Sequence, residues 1–294
     1  MSGGHSLASL GGASRRMMHG CALALLVSAP AAADTSDPPA WTRPIEPFHL
    51  VGPVDYVGSE GIGAYLIHTP AGAVLIDGTL EANAAMVRRH IEARGVSIRS
   101  VKWILISHAH FDHVGAVAAL ARASGAKVAA GAGDVAALAQ GTHPGEANYT
   151  PRPYPPVHVD RAIHDHDHLT LGGLTMTAIA TPGHTPGCTS WSIRVTEKGR
   201  PLTVLFPCSV TVAGNRLVGN RAYPGIVADY RRSLARLGAV KADVVLPAHP
   251  EAADVIGRAK RGTLVDPKLL GRIVAQSRID FDAELKRQEA RGDA

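Results

Sequence analysis

The sequence predicts a mixed α and β fold of the α+β (α/β) type, and three observations carry that prediction. Short apolar runs split by Gly and Pro occupy residues 49–78, amphipathic helical stretches then alternate with apolar runs, and a second group of short runs fills residues 168–209. With 46% hydrophobic and 19% charged residues among 294, the chain can bury an ordinary core and lacks the bias of a disordered protein. That length suits one large domain or two small ones.

The elements follow in order. After a Pro-rich lead-in, "HLVGPVDYV", "IGAYLIHT" and "AVLIDG" read as short strands of a meander, the last ending at Asp77-Gly78. From Glu81 to Arg94, Ala84, Val87 and Ile91 share one face and Arg88, Arg89 and Arg94 the other, so the spacing predicts a helix closed by Gly95. "VKWILIS" is a buried strand, Val114 to Ala123 a second helix, "AKVAA" a strand and Asp134 to Ala139 a short helix. Residues 141–161 contain two glycines and five prolines, which predicts a surface loop. "HLTL", "LTMTAIAT", "TSWSIRV" and "PLTVLFPCS" then read as strands, with Lys198-Gly199 as a turn. Tyr223 to Leu237 is helical, "ADVVLPAHP" a strand running into a loop, and Pro267 to Ala290 a long amphipathic helix. No internal repeat or domain-dividing linker is visible.

The N-terminus reads differently. Ser14-Arg15-Arg16, the short apolar stretch Cys21 to Ala29 and the small residues Ala31-Ala32-Ala33 have the order of a secretory signal peptide over residues 1–33. The apolar stretch is too short to span a membrane. The expectation is a periplasmic protein whose mature part, residues 34–294, is a single domain not held in a membrane, with a monomer favoured. The formal +5 of the full chain, less the two arginines of residues 1–33, leaves +3. That mild balance, without a basic run and with four Phe and three Trp in the whole chain, argues against a nucleic-acid partner. Cys188 and Cys208 remain after export, and either a disulfide or metal binding through thiolates is open to them.

One stretch carries chemistry. "LISHAHFDHVG", residues 105–115, sets His108, His110, Asp112 and His113 within six positions where a strand ends. Asp112 alone would be an ordinary helix N-cap and each histidine an ordinary surface residue, but four such side chains so close together point to a metal. As the chain leaves a strand and enters a helix, His108 and His110 share a face while Asp112 and His113 turn to another, giving two pairs of zinc-type donors. His184 in the rigid turn "TPGHTPG" and His249 in "LPAHP" stand at strand ends, where either alone would read as a turn histidine as readily as a ligand, but beside a cluster needing partners both are candidate further ligands. "HDHDH", residues 164–168, is denser in histidine but precedes "LTLGG" as a polar turn, and reads as solvent-facing.

"HAHFDH", "TPGHTPG" and "AHP", in that order after "VLIDG", resemble the metallo-β-lactamase superfamily across nearly all of the mature chain. The resemblance implies a four-layer αββα sandwich with metals at one edge between two β-sheets. Dinuclear members such as type II glyoxalases and many lactonases carry a bridging aspartate after the strand that here reads "LFPCS", whereas this chain has Pro207-Cys208-Ser209. First-subclass β-lactamases use a cysteine ligand there and an arginine after the motif's aspartate. Here His113 follows Asp112, and Ser209 stands in the cysteine's place. That combination resembles subclass B3, best through "ATPGHTPGCTSW" and "NRLVGNRAYPGIVADYRRS".

Carried over position by position, the resemblance implies two zinc ions, one on His108, His110 and His184 and one on Asp112, His113 and His249. Cys208, one residue off the ligand position, is then better used in a disulfide with Cys188. Ser209 and Thr211 become candidates to bind a substrate carboxylate, and Asn148 and Tyr149 of the Pro-rich loop candidates to touch substrate. Asp77 is expected to order the loop beneath the metals. The implied activity is hydrolysis of the β-lactam amide of penicillins, cephalosporins and carbapenems by a hydroxide held between the metals, with Asp112 and His184 catalytic. The alternative is another exported hydrolase of the same fold, such as a lactonase or thioester hydrolase.

Overall fold

The computed structural model describes residues 37–292, so the expected signal peptide lies outside the described residues. The first strands are β1 (Phe48–Val51), β2 (Val54–Tyr56), β3 (Tyr65–Thr69) and β4 (Gly72–Ile76), an antiparallel meander as expected. Parallel strands β5 (Val101–Leu105), β6 (Lys127–Gly131) and β7 (Arg161–Ile163) extend it to seven in the order β1 through β7. The second sheet has five strands: β8 (His168–Leu171), β9 (Leu174–Ala180), β10 (Thr189–Glu197), β11 (Arg200–Phe206) and β12 (Val244–Val245), in the order β12-β11-β10-β9-β8.

Strand periodicity builds the layers. Along β4, Val74 and Ile76 face a core shared with Trp191, Ile193 and Val204 of the second sheet, while Ala73 and Leu75 face the helices α1 (Ala84–Ala93) and α3 (Val117–Ser124). Along β11, Leu202, Val204 and Phe206 face the first sheet, and Leu205 faces α5 (Ile226–Ala239) and α7 (Leu269–Arg291). Both sheets are thus covered on both faces, which is why their strands read as nearly continuous apolar runs. The result is the expected αββα sandwich, and the strand ends along one edge carry the loops described below.

Several boundaries differ from the sequence reading. The helix expected from Val114 is broken into α2 (Phe111–Val114) and α3, because the turn between them is stitched to residues 77–79. The Gly78 and Thr79 amides both donate to His113 O, and the Ala116 amide donates to Thr79 O. A side chain at Gly115 would lie 2.4 Å from the Glu81 amide nitrogen, so this crossing is close by construction. Short α4 (Val135–Gln140) was anticipated, whereas β7 and α6 (Val255–Lys260) were not. The segment before β7 is a loop as expected, yet Tyr154 and Val157 are buried beneath it. No helix among the described residues is long and apolar enough to cross a membrane.

A buried carboxylate ties the meander to the helical layer. Asp55 of β2 accepts hydrogen bonds at 2.7 Å from Arg94 Nε, at the end of α1, and lies 2.7 Å from His68 Nε2 of β3. Burial alone would raise its pKa, but His68 and Arg94 outweigh burial and hold it at about 2, against an ordinary 3.8. A depressed carboxylate stabilises the fold above its unfolded pKa and loses that contribution as pH falls toward its folded one. Asp55→Asn should therefore lower the urea midpoint at pH 7, and the gap from wild type should close as pH falls from about 4 to about 2. A gap independent of pH would contradict this.

Candidate metal centre

Four strand ends deliver the site. At the end of β4, Asp77 adopts a left-handed conformation (φ 60°) and accepts Ser107 N at 2.8 Å and Ser107 Oγ at 2.7 Å, which fixes the chain as it leaves β5. The next residues are His108 and His110, and α2 then begins and brings Asp112 and His113 round. His184 comes from the loop between β9 and β10, and His249 from the turn after β12.

These residues converge as two triads. Donor atoms of His108, His110 and His184 lie within 4.8 Å of one another, and so do those of Asp112, His113 and His249. His184 Nδ1 is 2.7 Å from Thr211 O and donates to it, so Nε2 is left as the lone-pair nitrogen, 3.1 Å from His108 Nε2. Ser107 Oγ lies 2.9 Å from His108 Nδ1. In the second triad His113 Nε2 is 3.2 Å from His249 Nε2, and Asp112 Oδ2 is 3.1 Å and 3.3 Å from those two nitrogens. Five of the six side chains are buried, and His249 is half-buried.

The donor chemistry fits a divalent metal. Zinc–nitrogen bonds of roughly 2.0–2.1 Å set adjacent ligand atoms of a tetrahedron about 3.3 Å apart, close to the separations just given. The buried His110 Nε2 has no hydrogen-bond partner in the protein. Burial pushes the imidazolium forms of His108 and His110 well down and that of His184 to about 3, leaving neutral rings of the kind metals take. Asp112 is held well below the carboxylate range because His113 and His249 outweigh its burial. Among the described residues only these two groups meet the geometry. The thiols are absent from both, since Cys188 and Cys208 form a disulfide that ties the His184 loop to the segment carrying Ser209.

The surroundings sort the remaining candidates. Ser209 Oγ and Thr211 Oγ1 are 3.1 Å apart on the segment that receives His184. The Asn148 amide donates to Gly214 O, and the ring of Tyr149 meets that of His143 edge-on at 6.0 Å. In "HDHDH", His164, His166 and His168 are exposed and Asp165 pairs with Arg236, in keeping with a polar turn. Sequence reasoning passed over three residues at the site. His143 stacks on His110 at 4.5 Å, Trp41 lies 5.5 Å from the His249 ring, and Asp134 is buried between two of the loops. None shares a spacing with the motif, so only the folded chain brings them there.

Residues 60–249 match the family described as the metallo-beta-lactamase superfamily. Among solved structures, BJP-1, a subclass B3 metallo-beta-lactamase of Bradyrhizobium japonicum, is 40% identical, with a TM-score of 0.83 over 86% of this chain and 98% of its own. A metallo-beta-lactamase of Cronobacter sakazakii is 38% identical, with a TM-score of 0.79 over 85% of this chain and 98% of its own. A hydroxyacylglutathione hydrolase of Acidiphilium cryptum is 27% identical over 186 residues, 62% of this chain. The chain spans 61% of that relative's length.

Metal analysis of the dialysed protein should approach two ions per chain. Removing His184 should weaken one site and removing His249 the other, each leaving about one ion, and a wild-type stoichiometry near one would contradict the two-triad arrangement.

Proposed function

The chain belongs to the metallo-β-lactamase superfamily, and from that premise we propose that it is an exported zinc-dependent β-lactamase of the subclass B3 type. It hydrolyses penicillins, cephalosporins and carbapenems in the periplasm. The observation that carries this reading is the donor set itself: two triads, three imidazoles in one and two imidazoles with a carboxylate in the other, and no carboxylate on residues 207–211 to bridge them. That segment offers the hydroxyls of Ser209 and Thr211 instead. The 40% identity with a subclass B3 enzyme over nearly its whole length supports the same branch.

His108, His110 and His184 hold one zinc in this reading, and Asp112, His113 and His249 the other. Zinc held this way would polarise a carbonyl and bring the pKa of bound water down to about 7. The lactam C–N bond breaks as water oxygen bonds to the carbonyl carbon, one water proton ends on the nitrogen, and the product is an amino acid. Asp112 is the only carboxylate of the six donors, so it is the chain's own group for orienting the attacking water. His184 is locked in one tautomer by Thr211 O, which fixes its ring and its donor nitrogen. Ser209 and Thr211 present hydroxyl donors to the carboxylate that β-lactams carry. No serine nucleophile is required.

A second reading, a thioester hydrolase, is favoured by the hydroxyacylglutathione hydrolases among the relatives. The lack of a carboxylate at 207–211 weighs against it. Hydrolysis assays on a β-lactam panel, a homoserine lactone and a glutathione thioester separate the two. The β-lactams should be opened, a chelator should abolish turnover and added zinc restore it, and serine-directed inhibitors should have no effect. Asp112→Ala should lower turnover by on the order of a hundredfold. Zinc-loaded protein that ignores every β-lactam yet cleaves the thioester or lactone would overturn the proposal.

A further inference from the structure

Asp134 follows β6, far in sequence from every donor of the metal centre, and its side chain is 1% exposed. Its carboxylate accepts three hydrogen bonds. Ala109 N reaches Oδ2 at 2.9 Å, Thr185 Oγ1 reaches Oδ2 at 2.7 Å, and Gly187 N reaches Oδ1 at 2.7 Å. Ala109 sits between His108 and His110, and Thr185 follows His184. One buried carboxylate therefore grips the chain at the nearest neighbours of all three members of the first triad, and none of these three hydrogen bonds goes to a neighbour of His113 or His249.

The packing around it leaves no slack. A side chain at Gly131 would lie 1.9 Å from Gly187 O, and one at Gly187 would lie 2.4 Å from the Asp134 amide nitrogen. The His184 loop is thus seated backbone against backbone on the end of β6, with the carboxylate hydrogen-bonded at the same crossing. Three donors converge on it and no acceptor does, so an amide in its place would turn its NH2 toward a donor. The second triad is held differently. Its His113 carbonyl receives the Gly78 and Thr79 amides, and Asp77 Oδ2 stands 3.8 Å from His113 Nδ1.

We propose that Asp134 is the positioning residue of the first metal site, setting the separation of the His108–His110 loop from the His184 loop and leaving the second site alone. This rests on the metal reading given above. Buried hydrogen-bonded groups behind metal ligands are commonly worth about ten- to a hundredfold in affinity, and the same range is expected here.

The test uses the mature chain, stripped of metal and titrated with cobalt(II), its affinity read by competition with a chelating dye and its coordination by visible absorption. In a His249→Ala background, which isolates the first site, Asp134→Asn should weaken cobalt binding at least about tenfold and alter the absorption bands. In a His184→Ala background, which isolates the second, the same change should leave affinity unaltered. General destabilisation would not divide the sites in this way. Should Asp134→Asn not fold, Thr185→Val and Thr185→Ser decide: the first removes the hydroxyl donor and should weaken the first site, and the second keeps the donor and should preserve it. Equal loss at both sites, or loss at neither, overturns the positioning role. Wild type that takes up no cobalt overturns the metal reading itself, and the positioning role with it.

Discussion

Everything at the functional edge of this molecule depends on keeping imidazole nitrogens and a carboxylate within about 3 Å of one another in a largely buried cluster. The neutral rings of His108 and His184 meet nitrogen to nitrogen at that distance, where facing lone pairs repel and burial limits the solvent that would relieve them. A cation between them turns the repulsion into ligation, and a protein that must wait for the cation has to hold the donors in place by other means. The fold does so with groups that are not donors. Asp77 pins Ser107 where the motif begins, Thr211 O fixes the tautomer of His184, and Asp134 binds the two loops of the first triad together. The disulfide joins that second loop to the segment bearing Ser209 and Thr211.

The two sheets explain why these groups can be so close. Strands buried on both faces leave no freedom in register, because a one-residue slip would move every side chain to the other core. Ser107 therefore leaves β5 in a fixed orientation, and the loops from β4, β5, β9 and β12 meet at one edge without needing a scaffold of their own. A fifth segment, residues 207–211 after β11, meets the same edge, where Thr211 O receives His184. That segment carries no carboxylate, and its Ser209 and Thr211 hydroxyls lie 3.1 Å from each other.

Much of this was legible in the sequence, for identifiable reasons. "HAHFDH" announces itself because four donors in six positions have no ordinary structural use, and His184 and His249 follow because both stand at strand ends in Pro-bounded turns. The meander and the long terminal helix were readable from period and turn residues. The break between α2 and α3 was not, since it is made by hydrogen bonds from Gly78 and Thr79, far along the chain. Strand β7 was hidden at the end of a Pro-rich loop. His143, Trp41 and Asp134 were invisible for the same reason: their roles come from contacts across the sandwich, which no local pattern records.

The central claim is that two separate triads each hold one metal. Anomalous diffraction at the zinc edge, from crystals of the zinc-loaded protein, tests it directly. Two peaks are predicted, one bonded to His108, His110 and His184 and one to Asp112, His113 and His249, at about 2.0–2.2 Å. A single peak shared by both triads, or one seated on His164 to His168, would contradict it.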